Sequence, residues 1–267
     1  MIKLFLVFSL LFLCSTNLLL AQSEDSNLVV NPSFENFHFN KTPNNKFNPY
    51  RFDLDKLSSK SDTLGWYNPG GRFSSAGWYH IGNKKEKKRF IELHSLLPED
   101  GKSMIGMAFN LKPSGENYRD YLEGHLKVAL LEGQTYQISF YLSPRDGCAE
   151  GVSEIGIYFL TSKNVFDNHF NNDFSIVPDI IIPIKHITEK GQWYHVDIPY
   201  IAKGKEQYFI LGNFKNDKET QSVEFGKNIS DKAYSILPSM SDYLLDVFSI
   251  HRAIDIEGKT LKIPSGK

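Results

Sequence analysis

Between Tyr136 and Leu142 the chain alternates: Tyr136, Ile138, Phe140 and Leu142 are apolar, and Gln137, Ser139 and Tyr141 stand between them. A period of two is that of a strand with one buried face. Ile155, Ile157 and Phe159 repeat it. Residues 103–109 form a compact apolar run, and residues 118–126 place Tyr121 and Leu122 between charges. Residues 179–184 are rich in Ile and carry Pro183, which has no N–H to donate and so suggests a sheet edge. Residues 191–200, 207–214 and 243–250 complete a set of about nine or ten strands. Leu28, Val29 and Val30 read as a short first strand closed by the Asn31-Pro32 turn. No long amphipathic helix separates these runs, and minor helix is expected only in loops such as 165–172 and 230–237. The pattern predicts an all-β jelly-roll sandwich with long surface loops, the Tyr136–Leu142 face lying between its sheets.

Composition narrows the function classes. The 267 residues are 41% hydrophobic and 23% charged, enough for a self-sufficient core and too apolar for disorder over most of the length. An aromatic fraction of 13% suits pleated surfaces. With 30 basic residues against 31 acidic ones, the chain lacks the basic excess of a dedicated nucleic-acid binder. Residues 39–62 are rich in Asn, Lys, Pro and Ser and read as a surface excursion; Lys84, Lys85, Lys87, Lys88 and Arg89 read as a solvated loop.

Residues 1–21 have the form of a signal peptide: Lys3, an apolar run from Leu4 to Leu13, a second cluster at Leu18-Leu19-Leu20, and Ala21-Gln22 as the cleavage point. Ser15, Thr16 and Asn17 interrupt the run, so no membrane span is expected in the mature chain. Leu13 is too bulky to precede an acylated Cys14. Cleavage leaves Cys148 as the one cysteine, which excludes an intramolecular disulfide. The expected organisation is therefore a signal peptide over 1–21, a loose stretch over 22–26, a sandwich over 27–252 and a tail over 253–267. The expected location is periplasmic, outer-membrane-associated or extracellular.

The opening Asn27-Leu28-Val29-Val30-Asn31-Pro32-Ser33-Phe34-Glu35 resembles the start of jelly-roll domains of the galactose-binding and carbohydrate-binding-module type. More narrowly, it is similar to exported sandwich domains of Bacteroidota, often found ahead of an OmpA-like domain. Further segments match in order: Gly65-Trp66, Gly101–Met107, Tyr118–Glu123, Leu131–Tyr136, Ile155–Phe159, Trp193, Leu211–Phe214 and the closing Tyr243–Ile250. The chain departs from that pattern at Val247, where the family carries a second aspartate, and in the segment 68–80. No OmpA-like segment follows, so the resemblance implies the bare sandwich. Such sandwiches serve binding, adhesion and occasionally catalysis.

Two candidate sites follow. Glu35 sits just after the first strand and Asp246 lies in the last, and the resemblance implies that these two strands can lie side by side. Together with backbone carbonyls the two carboxylates would make an oxygen cage for a structural Ca2+, as the resemblance implies. The alternative is that Glu35 caps the turn after Pro32 and Asp246 bonds a backbone amide. Trp78, Tyr79 and His80 are the candidate sugar-stacking platform, since ring faces complement the C–H faces of pyranoses. The alternative is that Trp78, like Trp66, anchors a long loop against the core; Trp66 and Trp193 read as core.

Catalysis finds no pattern. The eight histidines lack zinc spacing, and there is no nucleophile elbow or phosphate-cradling glycine loop. Cys148 follows Pro144-Arg145-Asp146-Gly147, an expected exposed turn in which Arg145 would lower the thiol pKa modestly. The leading expectation is a non-catalytic envelope or surface module that binds glycan. The alternative is an adhesive sandwich that contacts an envelope protein, and a hydrolase comes third.

Overall fold

The computed structural model describes residues 27–36, 65–67, 69, 76–82, 87–88, 91, 95–111, 117–163, 176–229 and 240–253, with the backbone of 51–53. The expected signal peptide, the stretch 22–26, the tail beyond 253 and the helical loops at 165–172 and 230–237 lie outside the described residues.

The described strands are β1 (Arg51–Asp53), β2 (Trp66–Tyr67), β3 (Gly77–His80), β4 (Ser103–Leu111), β5 (Tyr121–His125), β6 (Thr135–Pro144) and β7 (Glu150–Val152), followed by β8 (Glu154–Leu160), β9 (Ile180–Pro183), β10 (Tyr194–Ile201), β11 (Tyr208–Gly212), β12 (Ser222–Glu224) and β13 (Met240–Arg252). One antiparallel sheet has the order β1-β3-β4-β13-β6-β10, and a second has the order β2-β5-β11-β8-β9. A separate pair joins β7 to β12. From β4 to β6 and again from β9 to β11, successive strands alternate between the two large sheets. The protein is an all-β sandwich that follows a jelly-roll path. Helical geometry among the described residues is limited to Lys87, Lys88 and Ile91.

Alternation in β6 does what its spacing predicts. Tyr136, Ile138, Phe140 and Leu142 are buried between the sheets, while Gln137, Ser139 and Tyr141 face outward. The layers meet through rings. Phe248 of β13 stacks on Phe140 of β6 at 5.1 Å and on Phe209 of β11 at 4.7 Å, and Trp66 of β2 meets Phe209 edge-on at 5.6 Å. Each such side chain stabilises the fold by about 1.5–3 kcal/mol through burial.

Leu28 to Val30 make no full strand. Val29 forms an isolated bridge to Leu126, Leu28 N–H donates to Ile250 O at 2.9 Å, and Val30 N–H donates to His125 O at 2.9 Å. The segment thus closes one end of the sandwich by bonding to both sheets. The stretch 39–62 is more than an excursion, because β1 within it pairs with β3. Pro183 ends β9, which forms the expected sheet edge. Central β13 carries a register shift between Asp246 and Ser249, where Val247 adopts φ 48°.

Candidate functional site

The expected platform is not formed. Trp78 and Tyr79 are each only 3% exposed, so neither ring offers a face to a sugar. Their strand β3 sends adjacent residues to opposite sides. Trp78 points between the sheets and donates its indole N–H to Phe34 O at 3.0 Å. Tyr79 lies on the outer side, with the Arg145 guanidinium 5.4 Å from its ring centre. It covers Gly106, where an added Cβ would come within 2.6 Å of the Tyr79 ring. His80 is half-buried, stacked beside Trp78 and 3.1 Å from Ser103 Oγ. Three consecutive residues therefore serve the core from both faces.

Glu35 and Asp246 do meet at one place, the loop before β4. Glu35 Oε1 accepts the N–H groups of Lys102 at 2.7 Å and Ser103 at 2.6 Å. Asp246 Oδ2 accepts those of Glu99 at 2.8 Å and Asp100 at 3.2 Å, and its Oδ1 accepts that of Val247 at 2.8 Å. Both carboxylates are thus engaged by backbone donors: Asp246 as in the alternative reading, and Glu35 on the loop before β4 rather than on the turn after Pro32. Among the described residues no group of three or more His, Cys, Asp or Glu is placed to hold a metal ion. Burial pushes the Asp246 carboxyl up to about 7, against the lowering effect of its three amide donors.

Aromatic and ionisable side chains converge instead on the outer face of the five-stranded sheet. Tyr67, Glu123, Ile210 and Tyr158 occupy consecutive register positions across β2, β5, β11 and β8. His125, Tyr208 and Leu160 form the next row. The intervening Trp66, Phe209 and Phe159 point into the core, which fixes these two rows outward. His125 and Tyr208 stack at 4.6 Å, and Lys163 Nζ sits 3.6 Å from the Tyr67 ring centre. Tyr67 and Glu123 are buried, whereas Tyr158, Tyr208 and His125 are half-buried. Ile210 is fully buried, and Tyr158 and Leu160 pack against it. Sequence alternation contained this face, since Tyr158 and Leu160 interleave with Ile157 and Phe159. Only strand pairing assembled it.

The opposite, six-stranded sheet carries a shallow groove of about 400 Å³ lined by Ile91, Ser95, Leu96, Leu97, Pro98, Glu99 and Trp193. Trp193 is half-buried, not enclosed in the central core, and its indole N–H donates to Leu97 O at 3.0 Å. Beneath the same end lies a polar cluster. Arg145 Nη1 bonds Asp242 Oδ2 at 2.6 Å, both residues being buried. Cys148 is buried at 1% exposure rather than displayed on a turn, and burial pushes its thiol up to about 12 despite nearby Arg145 and Lys190. This corrects the expected modest lowering: desolvation of a thiolate outweighs both cations.

No family model matches the chain, and no curated protein matches it. Solved structures show low similarity. A cyclase from Fischerella sp. TAU is 11% identical, with 84% of this chain and 96% of that one covered and a TM-score of 0.44. The CBM22-1 xylan-binding domain of Paenibacillus barcinonensis Xyn10C is 10% identical over 75% of this chain and 91% of its own, with a TM-score of 0.33. The K1 adhesin domain of Lys-gingipain from Porphyromonas gingivalis W83 is 14% identical over 75% and 88%, with a TM-score of 0.31. At such scores these likenesses carry no inference about what the chain binds.

Proposed function

We propose that this chain is a non-catalytic, exported binding module that takes a glycan on the outer face of the five-stranded sheet. The supporting observation is that the half-buried rings of Tyr158, Tyr208 and His125 stand on the outward side of two adjacent register rows. Rings can stack on the C–H faces of sugars. Export rests on residues 1–21. Among the described residues no helix is long and apolar enough to cross a membrane.

A glycan array with the wild type and the Tyr158→Ala and Tyr208→Ala variants tests the reading. Each ring contributes about 1 kcal/mol, so each variant loses about fivefold in affinity. Trp78→Ala is no substitute, because it opens the core. Absence of any glycan signal from folded wild type would end the proposal. In that event the adhesive reading gains support from the β9 edge, where Ile181 and nearby Val177 are 55% and 77% exposed. Binding to an envelope protein that Ile181→Lys abolishes would establish it. N-terminal sequencing of exported protein, with Gln22 expected first, checks the processing.

A further inference from the structure

Lys190, Asn228 and Asp146 meet at the end of the sandwich next to the β7–β12 pair, in an arrangement that ligand binding does not use. Lys190 is buried at 8% exposure, between β9 and β10. Its Nζ contacts two neutral acceptors, Cys148 O at 2.6 Å and Asn228 Oδ1 at 2.5 Å, and lies 6.0 Å from the Phe225 ring centre. Asp146 is fully buried. The Gly147 N–H is shared between Asp146 Oδ1 at 3.2 Å and Asn228 Oδ1 at 3.1 Å, which sets the carboxylate and the side-chain amide side by side. The Ile229 N–H, next along from Asn228, also donates to Asp146 Oδ1, at 3.1 Å. Ser95 Oγ holds the other carboxylate oxygen at 2.6 Å. Asn228 as a whole is exposed, yet its Oδ1 accepts from both Lys190 and Gly147.

We propose that Lys190 and Asn228 join through a self-formed isopeptide bond, with Asp146 as the proton carrier. A lysine amine attacks only when neutral, and burial holds Lys190 below the ordinary lysine range even though Asp146 pulls the other way. The amine swings from the amide oxygen to Cγ of Asn228, one bond away. The new bond is Nζ–Cγ and the broken bond is Cγ–Nδ2. The Gly147 N–H, already on Oδ1, stabilises the negative charge that develops there. Asp146 accepts the proton that Nζ sheds and returns it to Nδ2, which leaves as ammonia. A primary amide and an amine thus become a secondary amide and ammonia, with no oxidant or cofactor. The link closes a loop of sequence separation 38 between the segment ahead of edge strand β10 and the segment after β12, whatever the module binds.

Peptide mapping of the purified full-length protein decides the matter. The expected result is one branched peptide containing Lys190 and Asn228, lighter than its two parts by one ammonia, with no proteolytic cut after Lys190. Lys190→Arg and Asp146→Ala should each restore the full intact mass, read under denaturing conditions so that a loss of stability does not obscure it. The wild type, compared with Lys190→Arg, should also show the higher melting temperature. Recovery of separate, unmodified Lys190 and Asn228 peptides from folded wild type would overturn the proposal.

Discussion

Glu35 and Asp246 grip the two ends of one short loop: Glu35 takes the amides of Lys102 and Ser103, and Asp246 takes those of Glu99 and Asp100. Gly101 sits between them at φ 63°, with Glu35 Oε1 2.5 Å from where a Cβ would stand. The carboxylates of the terminal segments are therefore tied through amide hydrogens. A chelator should leave the melting temperature unchanged, and Glu35→Ala should destabilise by about 2 kcal/mol through its lost charge-assisted bonds. A chelator-sensitive melting curve, restored by calcium, would instead favour the oxygen cage.

Asp246 also sets a pH dependence. Its carboxyl rises to about 7 in the fold, against about 3.9 in an unfolded chain. The folded state then holds the proton more tightly, so the stability from this group is complete below about pH 4 and lost as pH rises through about 7. Urea unfolding of wild type and Asp246→Ala at a series of pH values measures this. The wild-type advantage should shrink over the interval; growth with pH would show that the charged form is the one the fold prefers.

Val247 carries strain beside that site. A β-branched residue at φ 48° is a backbone outlier, and it falls where β13 shifts register against β6. Asn and Asp tolerate this region better than a β-branched residue does. Val247→Asn should therefore stabilise by about 1 kcal/mol in urea unfolding. A loss of stability would mean that the packing of the half-buried valine side chain outweighs its backbone strain.

Cys148 should be inert in the native protein. Its thiol is buried and raised to about 12, so almost no thiolate exists near neutral pH. Labelling with an aromatic disulfide reagent should proceed only at the rate of opening and accelerate in denaturant. Prompt stoichiometric labelling in buffer would contradict the burial.

The chain sequence by itself determined the long alternating strands and their faces, though not β1 or the single bridge at Val29. A period of two is a property of the extended backbone, so Tyr136 to Leu142 announced its inward side without reference to any other segment. Pro183 likewise marked an edge, since an absent N–H is a local fact. Trp66 was legible as core and is 4% exposed, with its indole N–H on Asn31 O at 2.8 Å. Tertiary structure decided everything that required two distant segments at once. Trp78 and Tyr79, neighbours in sequence, part to opposite faces, and what encloses each is a different set of strands and loops. Tyr67, Glu123, Ile210 and Tyr158 become one row only because β2, β5, β11 and β8 pair in that order. Cys148 is buried by packing that its own turn does not encode, and Lys190 reaches Asn228 across a separation of 38. Backbone periodicity is set by neighbours along the chain, whereas proximity is set by which apolar faces bury one another.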